Sequence, residues 1–475
     1  MFEPVIAPSA SLLGLLQRGR GDGQLHALAA DRDEAIAAVE TCVTNDPRAD
    51  WQVENRSLYY ARLYMELEAP LAGIELHLHS PEDSLDTDEA RTGLALAVLG
   101  HLAGYGRRDA LDLLRAYTTT GTNWAWALDE LALRDTDESL LTLAPAVLAR
   151  FPADPEGDAE LREAVRAAYE PRVWRLWAAH HPRVAAAAEQ SPFDLWQRQL
   201  ARPGVTPGWS TADVLAWADQ GDSAAPDALA RRAAAAARCL TAVVRPEDVS
   251  LLHDAAAHGP AGARCAALRH LVEQRDPAAA GLIEAAAADL DHRVVRASLE
   301  LLGRMRGPEA LAHARRWADP ATGGADSALA QAAVRLLADA GEPGDAPLVV
   351  AGLHQWISLN GVTGAALGSL VDGVGRLHAI AAVPALRHVY GEAASSELRG
   401  RAAQALAVTD PNFGAGPAVE CLWDCEESTR ELAATHVTTT GDVRVLERLR
   451  RLAADPAEEA EVHAAVRGRL TARDR

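Results

Sequence analysis

The stretch DLDHRVVRASLELLG, Asp289 to Gly303, decides how this 475-residue chain is to be read. Val295 is followed by Arg296, and apolar residues then recur at roughly three to seven positions later, which is helical spacing. The same text returns as RRAAAAARCL at Arg232, ARCAALRHL at Arg264, LRGRAAQAL at Arg399 and TRELAATHV at Arg430. Two copies lack the Arg: LAQAAVRLL, with Ala330 in its place, and VTGAALGSL, with Thr363 there. Successive registers lie 31 to 36 residues apart. Seven registers at such even steps mark an internal repeat.

A second recurring text lies between them, opened by Gly, Asp or Pro. Examples are PEDVSLLHDAAAH from Pro246, DPAAAGLIEAAAA from Asp276, GPEALAHARRWAD from Gly307, GDAPLVVAGLHQW from Gly344 and GDVRVLERLRRLAAD from Gly441. Asp caps free N–H groups and Pro tolerates the first helical turn, so each opening is a helix start. The unit is therefore a helical hairpin. Alone it cannot bury its Ala- and Leu-rich face, and stacking on neighbours completes the burial.

Composition agrees. Hydrophobic residues make up 49% but aromatics only 5%. The apolar mass is Ala, Leu and Val, which suits closely packed helices rather than strands. The predicted class is all-α, an α-α superhelix of antiparallel helix pairs.

The front of the chain carries the rhythm more faintly, in ENRSLYYARL (Arg56), EARTGLALAVLG (Arg91) and NWAWALDEL (Trp124). From Pro152 to Gly221 the pattern breaks, with Trp174, Trp177, Trp196, Trp209 and Trp217 and the helix-breaking ARPGVTPGWS. The expected organisation is 1–151 degenerate repeats, 152–221 an irregular Trp-rich connector, and 222–475 regular repeats.

These residues resemble HEAT repeats, with Asp289 to Gly303 as the nearest copy. The likeness is strong over 220–460, moderate over 50–150 and poor between. In that family an Asp near the inter-helix turn and the Arg of the second helix bond between successive units. The resemblance gives those places to Asp291 and Arg296. Arg232, Arg264, Arg399 and Arg430 would be structural positions of the same kind. Most copies lack the Asp, which breaks a continuous ladder.

All 46 basic residues are Arg, as a GC-rich bacterial coding sequence would produce, against 67 acidic ones, for a net charge of −21. That balance repels a phosphate backbone and argues against nucleic acid as partner. Five Cys form no even framework and fit a reducing compartment. The N-terminus lacks the basic start of a signal peptide, and no uncharged run of eighteen apolar residues occurs, so a cytoplasmic location without a membrane span is expected.

Candidate chemistry is sparse. Trp124, Trp126, Asp129 and Glu130 share about two helical turns and are the candidate partner-binding residues. HEAT-like alkylpurine DNA glycosylases use Trp and Asp on such helices, but they are basic. Core or groove packing is the favoured reading. His77 and His79 in LHLHS, and His180 and His181 in AAHHP, have no Glu or Cys at zinc spacing. Cys421 and Cys425, placed together on a predicted helix with Trp423 between them, read as buried small residues. Tyr60 and Tyr64 share a packing face. Phosphate loops and nucleophile elbows are absent from the text.

The expectation is a non-catalytic scaffold that binds another protein, one with a basic segment, on a concave face. No cofactor and no metal is expected. The alternatives are a glycosylase-type enzyme and a bilin-lyase or chaperone-like protein.

Overall fold

The computed structural model describes residues 4–50, 52–85, 91–189, 209–220, 228–320, 327–439 and 443–473. They form 28 α-helices linked by turns and short 3-10 segments, with no strand among the described residues. The all-α class holds. Two compact units divide the chain: Met1–Leu200 with Val389–Ala407 and Pro411–Arg475, and Ala201–His388 with Val408–Asp410.

The first unit opens with α1 (Leu12–Gln17), α2 (Gly21–Ala29), α3 (Arg32–Thr44), α4 (Ser57–Glu66), α5 (Ala72–Leu78) and α6 (Gly93–Gly104). It continues with α7 (Arg108–Thr120), α8 (Trp124–Arg134), α9 (Asp137–Leu148), α10 (Pro155–Ala167), α11 (Arg172–Ala178) and α12 (Pro182–Glu189). The second unit holds α13 (Thr211–Asp219), α14 (Ala228–Val243), α15 (Val249–His258), α16 (Ala261–Glu273), α17 (Ala279–Ala287) and α18 (His292–Leu302). It goes on through α19 (Pro308–Ala318), α20 (Ala328–Ala340), α21 (Ala346–Asn360) and α22 (Ala365–Arg376), and α23 (Val383–Glu392) crosses the division. The chain ends with α24 (Ser396–Thr409), α25 (Pro417–Cys421), α26 (Glu427–His436), α27 (Val443–Ala454) and α28 (Ala460–Arg473).

Helices of this length are marginal alone in water, so packing must hold them. Capping sets where they begin. Asp291 accepts from the Arg293 N–H at α18, Ser327 caps α20, and Ser210 with Asp213 forms a reciprocal capping box at α13.

In the second unit consecutive helices pair as hairpins, α15 with α16, α17 with α18, α19 with α20 and α21 with α22. The second helices then stack in order: α14 on α16, α16 on α18, α18 on α20, α20 on α22. Fully buried Leu268, Val294, Leu302, Leu336, Leu337 and Leu367 fill the space between them. The helices approach closely where Gly373 faces Ala338, since a Cβ on Gly373 would sit 2.4 Å from the Ala338 Cβ.

The first unit stacks α4 on α6 and α6 on α8, with Leu63, Leu94, Leu99, Leu128 and Leu131 buried. Its C-terminal helices join the same core. Fully buried Arg56 of the N-terminal part bonds the Ala394 carbonyl at 2.8 Å and pairs with Glu54, which accepts from Ser396 N–H at 3.0 Å. Arg399 of α24 grips Asp424 at 3.1 Å and also donates to the carbonyl of Arg18. Arg430 of α26 and Arg62 of α4 both hold Glu458, at 2.7 and 2.8 Å. The repeat text from Ser396 onward thus completes a core begun by residues near the other end of the chain.

Candidate functional site

The Arg register performs two kinds of work. Arg264 reaches Asp289 of the next hairpin at 2.5 Å, as Arg399 reaches Asp424 and Arg430 reaches Glu458. Each is a strut from a second helix to an acidic residue 25 to 28 positions on. Asp289 is the acceptor in the Asp289–Gly303 copy; Asp291 caps α18 and holds Arg293 at 2.7 Å. Arg232 lies over the Trp217 ring, and Arg296 is exposed, 3.5 Å from Glu300.

Arg296 lines a groove across the second helices of the second unit. One cavity of about 820 Å³ lies along α14, α16 and α18, and another of about 630 Å³ along α18, α20 and α22. Arg296 and Glu300 line both, so the two adjoin along α18. Six guanidiniums line it: Arg269, Arg293, Arg296, Arg304, Arg335 and Arg376. The carboxylates are four, Asp291, Glu300, Asp339 and Asp372. In a chain of net charge −21 this groove is locally cationic.

Not every Arg is available. Arg376 donates to the carbonyls of Leu337, Ala338 and Gly341, so it satisfies the end of α20. Arg269 is held by Glu273 at 2.9 Å. Arg335 is half-buried at the groove floor and, among the described residues, has no hydrogen-bond or ion-pair partner; burial holds its guanidinium below the usual value. Arg304 is exposed and equally unpaired among the described residues. Leu290, in the turn before α18, is fully exposed at 102% of its reference area, and Leu229 of α14 lines the same cavity. Burial pushes the Cys265 thiol up to about 11, which keeps it from acting as a nucleophile. The chemistry on offer is recognition of carboxylates beside an apolar anchor.

The Trp segment lies elsewhere, on α8 of the first unit. Trp124 packs edge-on against Phe151 and Trp174, with Arg150 over its ring. Trp126 covers Gly93 at the start of α6. Asp129 accepts the Glu170 N–H at 3.1 Å. Burial raises the Glu130 carboxyl to about 7, outweighing its ion pair with Arg134 at 2.5 Å. Trp196 of the connector lies outside the described residues, as do 190–208 and 221 as a whole.

His77 bonds the Arg91 carbonyl at 2.9 Å from a helix, α5, and His79 follows at its end. His180 is exposed and His181 half-buried. Cys421 and Cys425 do not share a helix: α25 ends at Cys421, which donates to Tyr390 Oη at 3.3 Å, while Cys425 lies in the turn beyond. Both thiols are buried and flank Trp423. Tyr60 and Tyr64 are buried in the first core. Among the described residues no three His, Cys, Asp or Glu side chains are placed to hold a metal ion, and no helix is long and apolar enough to cross a membrane.

Sequence reasoning missed Arg304 and Arg335 because neither stands at the repeated Arg register. The signal for Arg335 is its position on a second helix, and for Arg304 its place in the turn that follows one.

No family model and no curated protein matches the chain. A solved crystal structure described as an engineered protein, from the Northeast Structural Genomics Consortium, aligns over 95% of this chain and 98% of that one, at 15% identity and a TM-score of 0.25. From that level of likeness neither fold nor activity is carried over.

Proposed function

We propose that this chain is a bacterial, cytoplasmic binding scaffold built from HEAT-type helix pairs, and that it holds another protein in the groove of its second unit. One observation carries the reading: two adjoining cavities along alternate helices in which Arg304 and Arg335 have no partner among the described residues. A half-buried cation left without a counter-charge is costly, and a ligand carboxylate removes that cost.

The net charge of −21 favours a basic partner at long range. At physiological salt, however, exposed charges are screened beyond about 8 Å. Groove side chains therefore decide what seats, and they favour an acidic segment over the basic one that the total charge suggests.

The test compares the wild-type chain with the variant Arg304→Glu/Arg335→Glu, captured from the native cell after crosslinking. Partners retained by the wild type and lost by the variant, at equal thermal stability, support the proposal. Identical partner sets overturn it.

A further inference from the structure

We infer that the groove of the second unit takes an extended, acidic peptide segment of the partner, with carboxylates at about every third residue. The inference rests on the scaffold reading above and adds the form of the occupant.

The spacing follows from geometry. Helices packed side by side lie about 8–10 Å apart. An extended chain advances about 3.3 Å per residue. A segment laid across α16, α18 and α20 therefore brings every third residue over a new helix. Those helices, with the turn after α18, present Arg269, which a ligand carboxylate would share with Glu273, then Arg296, shared with Glu300, and Arg304, then Arg335. A helical occupant, rising about 1.5 Å per residue, would need acidic residues some six or seven apart.

The groove's own carboxylates separate a peptide from a nucleic acid. Glu300 and Asp339 are acceptors and have nothing to give a phosphate. An extended peptide carries both N–H donors and carbonyl acceptors, all needing partners. Alternating guanidinium and carboxylate is what such a backbone requires, whereas a phosphodiester chain wants donors alone. Leu229 of α14 and Leu290 of the turn before α18 line the first cavity and offer apolar surface to one side chain.

The full chain would be titrated, by fluorescence anisotropy, with four labelled probes. These are a 13-residue peptide with Glu at every third position among Ser and Ala, and a peptide of the same composition with its Glu contiguous. The others are the spaced peptide with Arg replacing Glu, and a single-stranded oligonucleotide of matching charge. The spaced acidic peptide should bind about tenfold tighter than the contiguous one, and Arg335→Ala should weaken it about tenfold with an unchanged melting temperature.

Equal affinity for both acidic peptides overturns the spacing. Preference for the Arg peptide or the oligonucleotide overturns the acidic occupant. If no probe binds while the Arg304→Glu/Arg335→Glu variant still loses its cellular partners, this inference fails and the scaffold reading stands. If that variant keeps every partner as well, both fail together.

Discussion

Arg62 and Glu458, 396 positions apart in the chain, meet at 2.8 Å inside the first unit. Glu458 is fully buried and is also gripped by Arg430 through both carboxylate oxygens, at 2.9 and 2.7 Å. Burial alone would push its carboxyl up, but Arg430 and Arg62 more than reverse this and bring it down to about 2. One carboxylate thus ties α4, α26 and the turn before α28 into a single core.

Glu458→Gln should cost about 3–5 kcal/mol, because two buried guanidiniums lose their shared counter-charge. Urea unfolding followed by far-UV circular dichroism measures it. A loss below about 1 kcal/mol would show that the network contributes little.

Two groups of the first unit should lose their contribution to stability in acid, in different windows. Burial, with Arg134 and Arg62 nearby, depresses His101 to about 4 from 6.5. The unfolded chain therefore takes up a proton that the folded one refuses, and the His101 contribution drops as pH falls from 6.5 towards 4. Glu130 gives an opposite gain, because its raised carboxyl is protonated first in the folded chain between pH 7 and 4.5. Glu458 adds a second loss, as pH falls from 4.5 towards 2, worth about 3 kcal/mol on the linkage relation. His101→Gln should gain stability relative to the wild type as pH falls from 6.5 towards 4 and leave the second window unchanged. A stability difference between His101→Gln and the wild type that stays constant from pH 6.5 to 4 would contradict this account.

Two buried arginines should respond oppositely to Met. Arg448 has one hydrogen bond, from Nε to the Leu422 carbonyl at 3.0 Å, and its Nη2 is orphaned. Burial, then Arg62 and Arg430, lower its guanidinium to about 9. Arg448→Met should therefore be neutral, or stabilising by about 1 kcal/mol. Arg399→Met strands Asp424 and should cost about 3–5 kcal/mol. Paired melting curves decide; equal losses would mean that the two environments do not differ as described.

Gly373→Ala should destabilise the second unit by about 1–3 kcal/mol, since its Cβ would press on Ala338 and the backbone behind it. Gly391, on α23, has nothing within 4 Å of an added Cβ. There, Ala should stabilise by up to about 1 kcal/mol through helix propensity. If both substitutions behaved alike, close packing of α20 on α22 would not be the cause.

Much of the fold was legible because it is local. The spacing of Val294, Leu301 and Leu302 specifies which side of α18 is buried without reference to any distant residue. Struts were legible too, since Arg264, Arg399 and Arg430 each sit in the same frame of Ala and Leu. The candidate site was not. Arg335 and Arg304 differ from other surface arginines only in what lies around them, and Trp124, conspicuous in the text, turns inward onto Phe151 and Trp174.

By itself, then, the sequence determined that this protein is a series of helix pairs, because a period near 3.6 and a repeat near thirty-three residues are properties of neighbours along the chain. Only the tertiary structure decided that Glu458 closes a core with Arg62, and that cations from α16, α18 and α20 share one groove. Those facts depend on which surfaces meet in space. A linear pattern of apolar and charged residues prescribes burial but does not name the partner that provides it.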